Sequence, residues 1–153
     1  VTGDHLEVRA EDFRAAARTL TAAGDRDLKR EVTRALRNVV RPFAQQVVAE
    51  GAAVLPRRGG LAGRVAAAKI GQTTAMGGSN PRVSVNLSTR DDYDLRRMDA
   101  GTVWHKVWGR PPWIRQSVPS GGFSDAFSRG APEVAEQVVG ALEVVTRKIG
   151  SNR

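Results

Sequence analysis

The stretch from Asp25 to Val54, "DRDLKREVTRALRNVVRPFAQQVVAEGAAV", decides the fold class. Leu28, Val32, Leu36 (with Ala35), Val39, Phe43 and Val47 recur at spacings of three and four, which puts them on one stripe of a long α-helix. Asp25 and Asp27 suit the positive N-terminal end of that helix, with Asp25 as its cap. Pro42 lies inside the pattern and has no N–H to donate, so a kink or break is expected between Asn38 and Pro42. The helix is expected to stop near Val54, ahead of "LPRRGGLAG".

Upstream, a short strand at Leu6–Val8 precedes "EDFRAAARTLTAA", where Phe13, Ala16, Ala17 and Leu20 share a helical face that Gly24 ends. Downstream, "RVAAAKIGQTTA" reads as a helical turn running into a strand at about Lys69–Thr74, and "MGGSNP" as a turn. "RVSVNLS" alternates Val83, Val85 and Leu87 with polar residues and completes a hairpin. "TRDDYDLRRMDAGTV" is polar and predicts a short helix ending at Gly101; "VWHKVW" predicts a further strand that Pro111 and Pro112 break. The last helix is expected from Pro132, with Glu133 and Glu136 at its positive end and Val134, Val138, Leu142, Val145 and Ile149 as its stripe. Arg147, Lys148 and Gly150 supply its stop. The expected fold is α+β: a small antiparallel sheet packed against a long N-terminal helix and a C-terminal helix. One domain over residues 1–153 is expected, with flexible ends at 1–9 and 150–153.

Composition narrows the function classes. The chain has 153 residues, 41% hydrophobic and 26% charged, as a soluble globular protein does. No apolar run approaches a membrane span, and the first residues show no secretory signal. With no cysteine, disulfides and thiolate chemistry are excluded. A net charge of +8 raises nucleic acid as a partner, yet the basic residues are scattered among acids, as on solvated helix faces.

Few constellations suggest catalysis. His5 lies near the terminus, and His105, in an alternating stretch with no Ser or carboxylate placed beside it, reads as a packed or interface residue rather than a general base. Asp91, Asp92, Asp94 and Asp99 lack the glycine turn and closing Glu of a calcium loop and stand among Arg90, Arg96 and Arg97, so local ion pairs are expected there. "PRRGGLAG" lacks the spacing of a phosphate-binding loop. No metal or cofactor is expected.

All three tryptophans fall within "GTVWHKVWGRPPWIRQSVPSGGF", residues 101–123, interleaved with Lys106, Arg110 and Arg115. Three uses of that cluster stay open: a protein interface, a stacking platform for single-stranded nucleic acid, or a cap on the sheet's own core. If Trp104–Trp108 is extended, Trp104, Lys106 and Trp108 share one face, and His105 and Val107 the other, so His105 is expected to be buried and hydrogen-bonded.

Two segments carry a family resemblance. "LPRRGGLAGRVAAAKI" (Leu55–Ile70) resembles the P-x-[TG]-G-x-L segment of the tail-completion, or head–tail joining, proteins of long-tailed bacteriophages, with Pro56, Gly59, Gly60 and Leu61 as its turn. "MDAGTVWHKVWGRPPWIRQSVPSGGF" is similar to the second motif of the actinobacterial phage members, filled here by Gly101, Val103, His105, Val107, Trp108, Gly109, Trp113, Gln116, Val118, Gly122 and Phe123. Trp104 stands where Arg is usual, Lys106 where Pro is usual, and an extra residue lies between Pro119 and Phe123. The resemblance covers roughly residues 28–149.

The resemblance implies a structural virion protein rather than an enzyme, made in the host cytoplasm and forming a ring, usually hexameric, at the neck. Its implied partners are further copies of itself, the head stopper or connector, the tail terminator or major tail tube protein, and DNA passing through the lumen without sequence-specific binding. Trp104, Lys106, Trp108, Arg110, Trp113 and Phe123 are then interface candidates, with His105 and Gln116 structural. A tail terminator ring of the same assembly, or a small basic nucleic-acid-binding protein, are the alternatives.

Overall fold

The computed structural model describes residues 26–67, 70–71, 88–89, 94–107 and 110–151. Helix α1 spans Arg26–Ala53, a 3₁₀ turn spans Arg58–Gly60, and α2 spans Leu61–Ala66. Strands β1 (Ile70–Gly71) and β2 (Ser88–Thr89) pair antiparallel, α3 spans Leu95–Asp99, β3 (Thr102–Val107) pairs antiparallel with β4 (Arg110–Ser117), and α4 spans Gly122–Ser151. The described protein is mostly helical, with two small two-stranded sheets between a long first helix and a long last one. The helix expected at residues 11–23, the cap at Asp25 and the hairpin tip lie outside the described residues; β1 and β2 are the described part of the expected hairpin.

The chain divides into two compact units, and both long helices contribute to each. The first contains the described residues 26–43 and 130–151. There Val32, Leu36, Val40 and Phe43 of α1, and Val134, Val138, Leu142 and Val145 of α4, are all buried. Each stripe recurs at helical spacing, and burying one such side chain contributes about 1.5–3 kcal/mol. Lys148 of α4 pairs with Glu31 of α1 at 2.9 Å, and a Cβ on Gly130 would stand 2.6 Å from the Phe43 ring, so the two helices meet there at close range.

The second unit contains the described residues from 44 to 71 and from 88 to 129. Its core gathers Val48, Ala52, Leu55, Leu61, Val65, Leu95, Met98, Val103, Val118 and Phe123. The glycine turn after α1 makes this possible. Gly59 and Gly60 take φ of 80° and 74°, a left-handed conformation that costs other residues energy, and so turn the chain to bring Leu61 and Val65 inward.

Several expectations are corrected. Of the kink or break expected at Pro42, the break does not occur: α1 runs through the proline as one helix, Pro42 and Asn38 are both exposed, and the apolar stripe continues on the buried side. Its stripe passes through Val40, fully buried, rather than the half-buried Val39. Helix α4 begins at Gly122, ten residues before Pro132, which lies exposed inside it. Its true start is capped from afar: Asp99 Oδ1 accepts the backbone N–H groups of Phe123 (2.9 Å) and Ser124 (3.1 Å). The two prolines do not end the sheet either. Pairing runs in register from Thr102↔Ser117 to Lys106↔Trp113, then shifts to Val107↔Arg110, so Pro111 and Pro112 fall in the irregular stretch where no ladder donor is required.

Candidate functional site

The β3–β4 hairpin places side chains by the alternation of its strands. Thr102, Trp104 and Lys106 fall on one face of β3, and their partners Ser117, Arg115 and Trp113 on the same face of β4. Trp104 is 44% exposed and Trp113 45%, so two tryptophans of one ribbon face are both about half open to solvent. They are diagonal neighbours across the ladder, since Trp104 opposes Arg115 and Trp113 opposes Lys106. Lys106 Nζ sits 5.0 Å from the centroid of the Trp113 ring, a cation–π contact worth about 0.5–1 kcal/mol at such exposure. It also stretches the lysine's aliphatic stem along the aromatic surface.

Beside the tryptophans lies an open cleft of about 300 Å³ lined by Asp94, Arg97, Thr102, Val103, Trp104 and Trp113. Helix α3 forms its other wall. Asp94 caps that helix, its Oδ1 accepting from the N–H groups of Arg96 (3.1 Å) and Arg97 (3.2 Å), while Oδ2 lies 3.4 Å from Arg97 Nε. The acid is thereby spent on the helix and its own arginine, which leaves the surroundings of the indoles cationic in character, with Lys106, Arg110 and Arg115 close by in the ribbon.

On the opposite face, Val103 is buried in the core. His105 follows it and is half-buried rather than enclosed, because β4, its partner strand, is exposed along its whole length. The imidazole lies between two oxygens, Gln116 Oε1 at 3.1 Å from Nε2 and the Lys106 carbonyl at 3.2 Å from Nδ1. A neutral ring donates to one of them, and a half-turn of the Gln116 amide supplies a donor for the other nitrogen. Both ring nitrogens are thus engaged inside the hairpin, and the pair ties β3 to β4. Among the described residues no group of three or more His, Asp or Glu could hold a metal ion, and no helix is long and apolar enough to cross a membrane.

The residues singled out in the sequence divide as follows. Trp104, Lys106 and Trp113 come together on one face, Arg110 is exposed at the start of β4, and His105 and Gln116 are bonded to each other. Trp108 and Gly109 lie outside the described residues. Phe123, grouped above with the interface candidates, is a core residue: it is 4% exposed, and its ring lies so close over Gly51 that a Cβ there would overlap it. Pro56 is half-buried, Leu61 is buried, and Gly59, Gly60 and Gly101 adopt positive φ, Gly101 at 90° receiving the N–H of Val118 on its carbonyl. Asp99, one of the acids for which local ion pairs are expected, instead caps a distant helix. Its only signal in the sequence is an acid shortly before a glycine, and its targets lie 24 and 25 residues away.

Comparison of the chain with protein-family models, with curated proteins and with solved structures returned no match.

Proposed function

We propose that the chain is a structural protein of a bacteriophage neck, one that assembles into a ring joining the tail tube to the head connector around the DNA channel. The observation that carries this reading is the pair of exposed tryptophans, Trp104 and Trp113, presented side by side on the ribbon that belongs to the second resembled motif. Large aromatics with a neighbouring arginine are the residue types that anchor protein interfaces, because they bury much area while losing little conformational freedom. Two half-exposed tryptophans on one face of a hairpin are a surface suited to cover by a partner subunit. The paired glycine turn ahead of α2 and the long helices at either end support the same resemblance.

The tail terminator role in the same assembly calls for the same kind of surface. The nucleic-acid reading draws on a different observation, the cations Lys106, Arg110 and Arg115 alternating with the indoles, an arrangement suited to base stacking.

Solution mass, measured with and without tail tube, separates these readings. A ring protein assembles, and Trp104→Ala then weakens assembly by about 2 kcal/mol or more while leaving the thermal midpoint of the isolated subunit nearly unchanged. A protein that stays monomeric under every condition, or a Trp104→Ala subunit that is strongly destabilised yet assembles normally, overturns the ring reading.

A further inference from the structure

The solvent side of α1 carries a row of arginines that the ring reading does not use. Arg30, Arg34, Arg37 and Arg41 are all exposed and lie within the first unit. Their spacings of four, three and four residues keep them within about 60° of one another around the helix, over a length of about 16 Å. The buried residues Val32, Leu36 and Val40 occupy another side of the same helix. Glu31, the neighbouring acid, is engaged with Lys148. Arg34, Arg37 and Arg41 make no ion pair among the described residues. Like charges at these spacings repel, so the helix holds them against its own electrostatics.

We propose that this face docks on the phosphate backbone of duplex DNA, without reading bases. The guanidinium fork matches phosphate oxygens in pairs, and a duplex offers about one charge per 1.7 Å, so the row meets a polyanion at least as dense as itself. The positions of the row carry no aromatic on which an unpaired base could stack, which argues against a single strand, and no apolar anchor of the kind a protein partner's interface requires. The net charge of +8 draws the same ligand from a distance.

The experiment is a salt series of fluorescence-anisotropy titrations with a labelled mixed-sequence duplex. For the wild-type chain, log K falls linearly with log salt, and the variant Arg34→Gln/Arg37→Gln/Arg41→Gln loses about 2.7 of that slope, about 0.9 for each phosphate released. Replacing the same three by lysine keeps the slope, and replacing Arg57, Arg58 and Arg96 by glutamine also keeps it. Should the triple glutamine variant fail to fold, Arg37→Gln alone loses about 0.9. Three results overturn the proposal: no salt-dependent affinity in the wild type, an equal loss of slope in the Arg57, Arg58 and Arg96 variant, or binding of a single strand or of polyglutamate as tight as that of the duplex. Ring formation is read separately, by mass. A monomer that keeps the slope leaves this proposal standing and removes the ring, and a ring without the slope does the reverse.

Discussion

Asp99 holds three parts of the second unit together. Its backbone carbonyl accepts the N–H of Gly121 at 2.8 Å, and its carboxylate takes the first free N–H groups of α4, at Phe123 and Ser124. A negative charge at a helix N-terminus is favoured by the helix dipole as well as by the hydrogen bonds. Asp99→Ala therefore leaves two N–H groups to find water and loosens the turn that delivers Phe123 to the core. The expected cost is about 1–2 kcal/mol, read as a lower midpoint in urea at unchanged slope. A neutral result means that water replaces the carboxylate fully. Gly51 shows how little room that turn leaves, since the Phe123 ring occupies the space where a side chain would begin.

At the scale of elements, polar contacts tie α1 to α4 as well as apolar ones, and one of them carries a pH dependence. Arg129 Nη2 donates to Glu50 Oε2 at 2.8 Å, and Gln46 Nε2 donates to Glu50 Oε1 at 2.8 Å. The Gln46 hydrogen bond, followed by the bond and charge of Arg129, holds the Glu50 carboxyl below the ordinary glutamate value against the opposing effect of desolvation. A carboxyl that is more acidic folded than unfolded adds stability above its unfolded value and loses it as the pH falls through the folded one. The stability difference between wild type and Glu50→Gln therefore shrinks on acidification from about pH 5 downward, measured by urea unfolding at a series of pH values. A difference that is flat with pH means that the pair is fully screened by solvent. The hairpin shows a different limit of reading elements singly. "VWHKVW" is legible as a strand from its alternation, but "RPPWIRQS" is not, because its two prolines argue against a strand unless its partner's register is known.

For the whole molecule, the basic surplus is the property that bears most on function, and it is distributed between surfaces of different kinds. Arg57 and Arg58 are exposed on the turn between α1 and α2, whereas Arg64 donates to the Gly59 carbonyl at 3.0 Å and so braces that turn. If DNA only passes through a ring, charge reversal at Arg57 and Arg58 leaves assembly intact. The check is the solution mass of Arg57→Glu/Arg58→Glu beside the wild type, together with its ability to join tails to heads. Loss of assembly in a subunit that melts normally places the glycine turn at a subunit boundary and counts against a purely conformational role for that motif.

Periodicity is a local property of the chain, and for that reason both long helices are legible as helices with approximate C-terminal ends. α1 stops at Ala53 and α4 at Ser151, close to where the pattern fades, and the short helix before Gly101 is marked by its own polar cap. The same locality makes Trp104 and Lys106 share a face as soon as the stretch is extended. Three-dimensional packing was needed wherever the cause lies far along the chain. Val40 rather than Val39 is buried because of where α1 meets its neighbours. Phe123 belongs to the core because Gly51 leaves space for its ring, and α4 starts ten residues before Pro132 because Asp99 caps it there. Trp113 opposes Lys106, and so stands diagonal to Trp104 rather than directly across from it, because the ladder slips by two residues past the prolines. Each of these depends on a partner that no window of neighbouring residues contains.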